Sequence, residues 1–352
     1  MRTAIVILNW NTRDYLLRFL PGILASAGHT RTAEGWQRGP LHEVIVADNG
    51  STDGSMAVMA EHFPGVRTIA FSENYGFTGG YNRALAALEE EGFAYYLLLN
   101  SDIEVPQGWL EPLVDWMDTH PECGACGPKL HGWTQRDRFE YAGAAGGFLD
   151  ALGYAFCRGR VLKRVETDEG QYDTPKNVLW VTGACLLVRS RLWKELGGLD
   201  GRFFAHFEEI DLCWRLRIRG RKIVCVPESR VYHVGGGTLP KANPMKTFLN
   251  FRNNLTMLYK CLPEKDLKPV MRWRWVLDYV AAWEMLILKG NVGDFKAVYR
   301  ARRAFKRWRK DFAADRQAIQ ASAVTKKIPE RRDCALLWQY YVKGRKTFKQ
   351  IP

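Results

Sequence analysis

The first hundred residues alternate short apolar runs with amphipathic stretches, and this alternation restricts the possible folds more than any other feature of the chain. Ala4-Ile-Val-Ile-Leu8, Glu43-Val-Ile-Val-Ala47, Val66-Arg-Thr-Ile-Ala-Phe71 and Tyr95-Tyr-Leu-Leu-Leu99 read as strands. Three of the four are almost unbroken apolar runs, as expected of parallel strands covered on both faces. The stretches 12–27, 55–62 and 78–91 carry helical patterns, with Thr12 and Thr78 as expected N-caps. The order β-α-β-α-β-α-β predicts an open α/β sheet with helices on both faces. Ligands of such sheets bind beyond the carboxyl ends of the strands. Polar residues collect there: Asn9-Trp10-Asn11 after the first strand, Asp48-Asn49-Gly50-Ser51 after the second and Asn100-Ser101-Asp102 after the fourth.

Residues 123–173 are Gly-rich and suggest no regular element. Beyond them, 179–188 reads as a buried strand, a short helix begins at Ser190, and a second helix covers 208–219. A strand over 222–226 leads to the loop Tyr232-His233-Val-Gly-Gly-Gly237, and three helices are expected at 246–260, 270–289 and 295–314. Charge divides the chain near Pro240. Of its 51 Lys+Arg and 38 Asp+Glu, 26 and 9 lie from Lys241 onward, a net of +17, which leaves 25 and 29 before it, a net of −4. We therefore expect a domain over 1–240 and a basic helical extension over 241–352. A basic extension suits a polyanion, either anionic lipid headgroups or nucleic acid. Trp273, Trp275 and Trp283 followed by the cationic run Arg300–Lys310 resemble a helix lying on a membrane surface. The competing reading is a solvated basic helix packed on the first domain.

No uncharged apolar stretch reaches the ~18 residues of a spanning helix; Trp273 to Leu288, the best candidate, contains Arg274, Asp278 and Glu284. Met1-Arg-Thr-Ala runs directly into the first strand, so no secretory leader is expected. The eight cysteines sit mostly in apolar runs, which suits reduced core thiols and a reducing compartment. Cys123 and Cys126 form a lone C-x-x-C, too little for a zinc site.

Asp48-Asn49-Gly50-Ser51-Thr52-Asp53 can present a carboxylate to a base or ribose, or serve only as a turn with Asp53 capping a helix. Asn74-Tyr-Gly76-Phe-Thr-Gly-Gly-Tyr-Asn82 is a Gly-rich loop ahead of a helix N-terminus, where a diphosphate can sit, but it lacks Rossmann and Walker spacing. Asp102 is sharper, because a strand as apolar as Tyr95–Leu99 presents its terminal carboxylate at the crevice. There it can hold a magnesium or manganese ion together with phosphate oxygens; otherwise it opens a turn before Pro106. Glu208-Glu209-Ile210-Asp211 crowds three carboxylates beside Phe203, Phe204 and Phe207. Favourable placement in a helix first turn accounts for the acidity. The crowding against aromatics suits a carboxyl of raised pKa acting as a general base. His233 is either a metal ligand or a satisfied loop residue.

Taken together and in order, these segments carry a resemblance. The series Asn-Trp-Asn, Asp-Asn-Gly-Ser-Thr-Asp-Gly, Asn-x-Gly-Phe-x-Gly-Gly-x-Asn, Leu-Leu-Asn-Ser-Asp, Thr-Gly183-Ala-x-Leu-Leu-Val-Arg, Gly-Gly-Leu-Asp-x-x-Phe-Phe, Phe-Glu-Glu-Ile-Asp-Leu-Cys-Trp-Arg and Val-Tyr-His-x-Gly-Gly-Gly resembles family 2 glycosyltransferases, closest to a bacterial rhamnosyltransferase-like branch. It covers residues 3–240. It implies a GT-A fold (a Rossmann-like mixed open sheet), a nucleoside-diphosphate sugar donor such as dTDP-rhamnose or a UDP-sugar, Mg2+ or Mn2+, and inversion at the anomeric carbon. On this resemblance Asp48 meets the base, Asp102 ends the metal-binding D-x-D, His233 completes the metal site and Glu209 is the catalytic base. Asn9, Trp10, Asn11, Asn49, Asn74, Gly76, Asn100, Ser101, Gly183 and Glu208 are the further candidate substrate-binding positions. Two positions depart from the family pattern: Asn100 replaces the first acidic residue of D-x-D, and the base is Glu rather than Asp, with Glu208 beside it. The expected acceptor is a glycan or lipid-linked glycan of surface polysaccharide synthesis, met in the cytoplasm at the inner face of the membrane. The alternatives are a sugar nucleotidyltransferase and a nucleic-acid-binding protein. The second leaves the acidic cluster at Glu208–Asp211 without a role, so no nucleic-acid partner is expected.

Overall fold

The apolar runs form the centre of a nine-stranded mixed sheet in the computed structural model, which describes residues 2–235, 243–325 and 327–352. Its strands are β1 (Thr3–Asn9), β2 (His42–Asp48), β3 (Arg67–Ala70), β4 (Tyr95–Asn100), β5 (Ile103–Glu104), β6 (Cys123–Gly132), β7 (Lys176–Val178), β8 (Cys185–Arg189) and β9 (Lys222–His233). They lie in the order β7-β9-β6-β8-β4-β1-β2-β3, and β5 pairs with the end of β9. Strands β1 to β4 are parallel, as their unbroken apolar character predicts. Alternate residues of β1 enter two separate cores. Ala4 and Val6 pack with Tyr81 and Leu85 of α3 (Gly76–Ala86), while Ile5 and Ile7 pack with Leu16 and Leu20 of α1 (Arg13–Ser26). The chain runs from β1 outward through β2 and β3, then returns to lay β4 on the other side of β1. That reversal is the switch point at which open α/β sheets bind ligands. Leu8 stands opposite Asn100 and Asn9 opposite Asp48, so the polar strand ends meet at one crevice.

Several local expectations are corrected. Thr12 precedes α1 but makes no side-chain capping bond; its hydroxyl donates to Asn9 Oδ1 at 2.5 Å and lies in hydrogen-bond contact with the Ser101 hydroxyl at 2.8 Å. Thr78 lies inside α3, which begins at Gly76. The supposedly irregular 123–173 contains the ten-residue β6 in mid-sheet and a four-stranded meander over 147–165. Glycines and a proline hid β6 because its close packing needs small residues: a Cβ on Gly127 would stand 3.0 Å from the Cys185 carbonyl oxygen. Only Cys185–Arg189 of the expected strand 179–188 is a strand, and the expected 222–226 is a single strand running on to His233, with irregular register between Cys225 and Arg230.

The expected boundary at 240 lies outside the described residues. Beyond it come α7 (Pro244–Cys261), α8 (Glu264–Ile287), α9 (Val292–Trp308) and α10 (Ala313–Ala321). These are not loosely appended. Met257, Leu258, Phe312 and Ile351 belong to the same apolar cluster as Val6 and Leu98. Lys260 of α7 is buried between Asp200 and Asp211, 2.8 Å from a carboxylate oxygen of each, and Asp211 also takes Arg215 Nε at 2.7 Å. Breaking one partner out of such a buried network typically costs about 3–5 kcal/mol.

Candidate active site

At the switch point, the tight turn after β4 carries Asp102, and pairing of Ile103 with His233 brings the end of β9 beside it. His233 Nε2 lies 3.2 Å from Asp102 Oδ1, and the Gly235 N–H donates to Asp102 Oδ2 at 3.2 Å. Both side chains are buried. Burial opposes charge on His233, but Asp102 and the nearby Glu140 outweigh it and raise its pKa to about 10. Burial likewise works against ionised Asp102, yet the His233 contact and the Gly235 N–H hold its carboxyl below the usual range. Once the His233 imidazolium proton is displaced, the Asp102 carboxylate and a His233 nitrogen at one point of a cavity would make a donor pair suited to Mg2+ or Mn2+. Among the described residues no group of three His, Cys, Asp or Glu could hold a metal alone. The remaining coordination positions would fall to diphosphate oxygens and water, the usual arrangement for magnesium.

Across the crevice, α6 (Glu208–Ile218) begins with both candidate glutamates. The segment before it is strained: Phe204, His206 and Phe207 all have φ near +70°, a region that bulky residues rarely adopt. Asn253 of α7 holds it in place. The two N–H bonds of its side-chain amide are shared among the carbonyls of Phe203 (3.0 Å), Ala205 (2.8 Å) and His206 (2.8 Å). Burial, then Glu209 and Asp211, pushes the Glu208 carboxyl well above its ordinary value. Burial raises Glu209 to about 7. Asp211 is fully buried and committed to Arg215 and Lys260.

One cavity of about 330 Å³ is lined by Trp10, Asn49, Asn74, Gly76, Asn100, Ser101, Asp102, Gly183, Glu208, Glu209 and His233, all expected from the sequence. Among the described residues three buried polar atoms of its lining have no hydrogen-bond partner, Glu208 Oε2, Glu209 Oε2 and His206 Nε2, while His233 Nδ1 lies 3.6 Å from Glu140 Oε1. Unpaired buried groups cost about 1–3 kcal/mol each, so their convergence marks a place prepared for a polar ligand. The two glycines have steric reasons. A Cβ on Gly76, at φ +72°, would enter the Phe204 ring at 2.4 Å, and one on Gly183 would press on Phe77 at 3.1 Å and Glu209 Cβ at 3.5 Å.

Asn9, Asn11 and Asp48 do not line this cavity. Asp48 is buried, accepting from Asn9 Nδ2 at 2.7 Å and the Ser51 N–H at 3.0 Å, and Asn11 Oδ1 accepts from the Thr52 N–H. These bonds tie the loop after β1 to the loop after β2. Asn49 and Asn74 reach the wall but are locked to each other (2.9 Å) and to the backbone at Tyr75 and Gly76.

The sequence profile described as Glycosyl transferase family 2 matches residues 4–196, more than half of the chain. The chain belongs to glycosyl transferase family 2. It is 31% identical over 205 residues to the N-acetylglucosaminyl-diphospho-decaprenol L-rhamnosyltransferase of Mycobacterium tuberculosis, a match covering 54% of this chain and 66% of that protein. It is 30% identical over 197 residues to the O-antigen biosynthesis protein RfbC of Myxococcus xanthus, covering 56% of this chain and 15% of that one. The crystal structure of GalNAc-T7 with UDP, GalNAc and Mn2+ superposes with a TM-score of 0.58 at 16% identity, covering 89% of this chain and 56% of that one. That likeness supports the GT-A fold expected from the sequence.

The motifs quoted from the sequence do not contain Asn253, Glu140, or His206 and Lys246, which also line the cavity. Asn253 sits in Asn250-Phe-Arg-Asn-Asn254, where an amide on a helix gave no signal of its distant target. The expected result for Asn253→Leu, similar in volume, is a stability loss of about 1–3 kcal/mol from stranded carbonyls. Turnover should fall between about 10- and 100-fold through misplacement of α6, with donor affinity kept. Urea unfolding and initial rates against donor concentration check both. Unchanged turnover would show that the segment holds itself.

Proposed function

We propose that this family 2 protein is an inverting, metal-dependent glycosyltransferase that moves rhamnose or another hexose from a nucleoside diphosphate to a hydroxyl of a lipid-linked glycan. The observation carrying the reading is the opposition, across one cavity, of an Asp102–His233 pair and two glutamates with unpaired oxygens. The mycobacterial relative's name specifies a rhamnosyl donor and a diphospho-decaprenol acceptor, and this chain inherits that class as a proposal.

Asp102 and His233 would hold the divalent ion, which when bound neutralises the diphosphate leaving group. Trp10 offers an apolar face at the cavity wall and Asn100 and Ser101 polar edges for the nucleotide. Glu209 accepts the acceptor hydroxyl proton as that oxygen bonds to the anomeric carbon. The bond from carbon to the diphosphate oxygen breaks on the opposite face, and its electron pair leaves with the nucleoside diphosphate. One displacement inverts the centre, and no second carboxylic acid is required, unlike in glycosidases. On this reading Asn9, Asn11 and Asp48 support the nucleotide-facing loops.

The test uses the full chain with a panel of nucleotide sugars, dTDP-rhamnose and UDP-hexoses among them, with Mn2+ or Mg2+. A metal-dependent thermal shift with one donor, followed by release of nucleoside diphosphate on adding a polyprenyl-diphosphate glycan, is the expected outcome. Release of pyrophosphate would make the protein a nucleotidyltransferase and overturn the reading.

A further inference from the structure

Helix α8 is built inside out. The side facing the protein carries Val270, Arg274, Asp278 and Ala282, all buried. Arg274 is tied to Asp278 at 3.0 Å and to the Leu152 carbonyl at 3.2 Å, and Arg302 of α9 also pairs with Asp278. Trp273, Val276, Val280, Trp283 and Ile287 repeat at alternating three- and four-residue steps and are 43–71% exposed. At about 100° per residue this apolar stripe lies opposite the buried one. A soluble helix ordinarily shows the reverse distribution.

Helix α9 lies alongside, joined through Tyr279–Tyr299 at 4.7 Å and Trp283–Phe295 at 5.1 Å. It buries Ala297, Val298, Ala301 and Phe305. Its exposed residues include Lys296, Arg300, Arg303 and Arg307, spaced on one face, and none of these four has an ion pair among the described residues. Among the described residues no helix is long and apolar enough to cross a membrane.

We infer that the paired outer faces of α8 and α9 form a docking surface for an anionic lipid bilayer. The apolar stripe would enter the headgroup–acyl boundary, and the basic row would meet lipid phosphates. A second copy of the chain is a poorer occupant, since matching the apolar stripes brings two unneutralised basic rows together. Nucleic acid leaves Val276, Val280 and Ile287 with nothing to bury against. The inference extends the proposal of a lipid-borne acceptor, but it is tested without any sugar, so either can fail alone.

The experiment is sedimentation of the full chain with phosphatidylcholine–phosphatidylglycerol vesicles, against pure phosphatidylcholine. Binding to the anionic vesicles that weakens with salt is expected. The variant Trp273→Ser/Val280→Ser/Ile287→Ser should lower partitioning by at least about tenfold. Lys296→Gln/Arg303→Gln/Arg307→Gln should lower it by about 100-fold and remove most of the salt dependence. Both leave donor binding unchanged, since these surface residues touch neither cavity nor core. Equal binding to neutral and anionic vesicles, or wild-type binding by the serine variant, overturns the inference. So does a concentration-dependent dimer that the serine variant dissolves, or duplex DNA binding in place of vesicle binding.

Discussion

Glu209→Gln should lower turnover by about 100-fold or more, the scale of a lost general base, while metal-dependent donor binding persists. The proposal of Glu209 over the adjacent Glu208 rests on the family motif, and the two carboxyls are both raised by burial. Burial, with the charges of Glu209 and Asp211 beside it, pushes the Glu208 carboxyl well above the usual range and disfavours its ionised form. Glu209, raised to about 7, is partly ionised there, which is where a base is most effective. The wild-type rate should therefore climb as pH rises through about 7, and the variant should lose that limb. Stability carries the opposite sign. Between the ordinary value of 4.5 and about 7 the folded chain binds more protons than the unfolded one, so stability falls as pH rises through that window. Glu209→Gln removes this penalty, and its melting temperature at pH 8 should equal or exceed wild type. If Glu208→Gln is the variant that abolishes the limb, the two roles are reversed.

Asp102→Ala should eliminate the response of nucleotide-sugar binding to Mn2+. It would remove one of the two proposed metal donors and leaves His233 without the carboxylate at 3.2 Å. Changes merely supporting a metal ligand cost about 10–100-fold in metal affinity, and loss of the ligand itself should exceed that. Titration calorimetry with a nucleotide sugar, at fixed nucleotide and varied Mn2+, reads the effect directly. A variant that keeps metal-responsive affinity would move the ion elsewhere. Because Asp102 also accepts the Gly235 N–H, Asp102→Asn is the milder companion: it keeps the size while removing the charge, and the same loss is expected.

The parallel half of the sheet was legible because strands buried on both faces are written in unbroken apolar runs. The site residues at those strand ends followed from topology and family motif together. Strand β6 was not legible: Gly124, Gly127 and Pro128 break the apolar pattern, although tertiary packing against β8 and β9 makes it regular. Asp48 shows a different limit. Its place after a strand is visible in sequence, but not that its oxygens accept from Asn9 and the Ser51 N–H. Asn253 lay beyond reach for a third reason, since its targets are carbonyls, and carbonyls leave no mark in an alphabet of side chains. The composition of α8 pointed to an interface, whereas its inverted orientation depends on which face meets Asn254 and Arg302.

The brace supplied by Asn253 also sets an order of events during synthesis. A chain emerging from the ribosome completes β1 to β9 before α7 exists, and at ~5–20 residues per second the gap lasts seconds. Throughout it the carbonyls of Phe203, Ala205 and His206 lack the amide that later gathers them. The sheet can thus be finished while the segment positioning Glu209 is still free to wander. The segment ahead of Glu208 and Glu209 takes its final shape late, when a helix from beyond the matched family region packs against it, and a chain released before α7 would lack that brace.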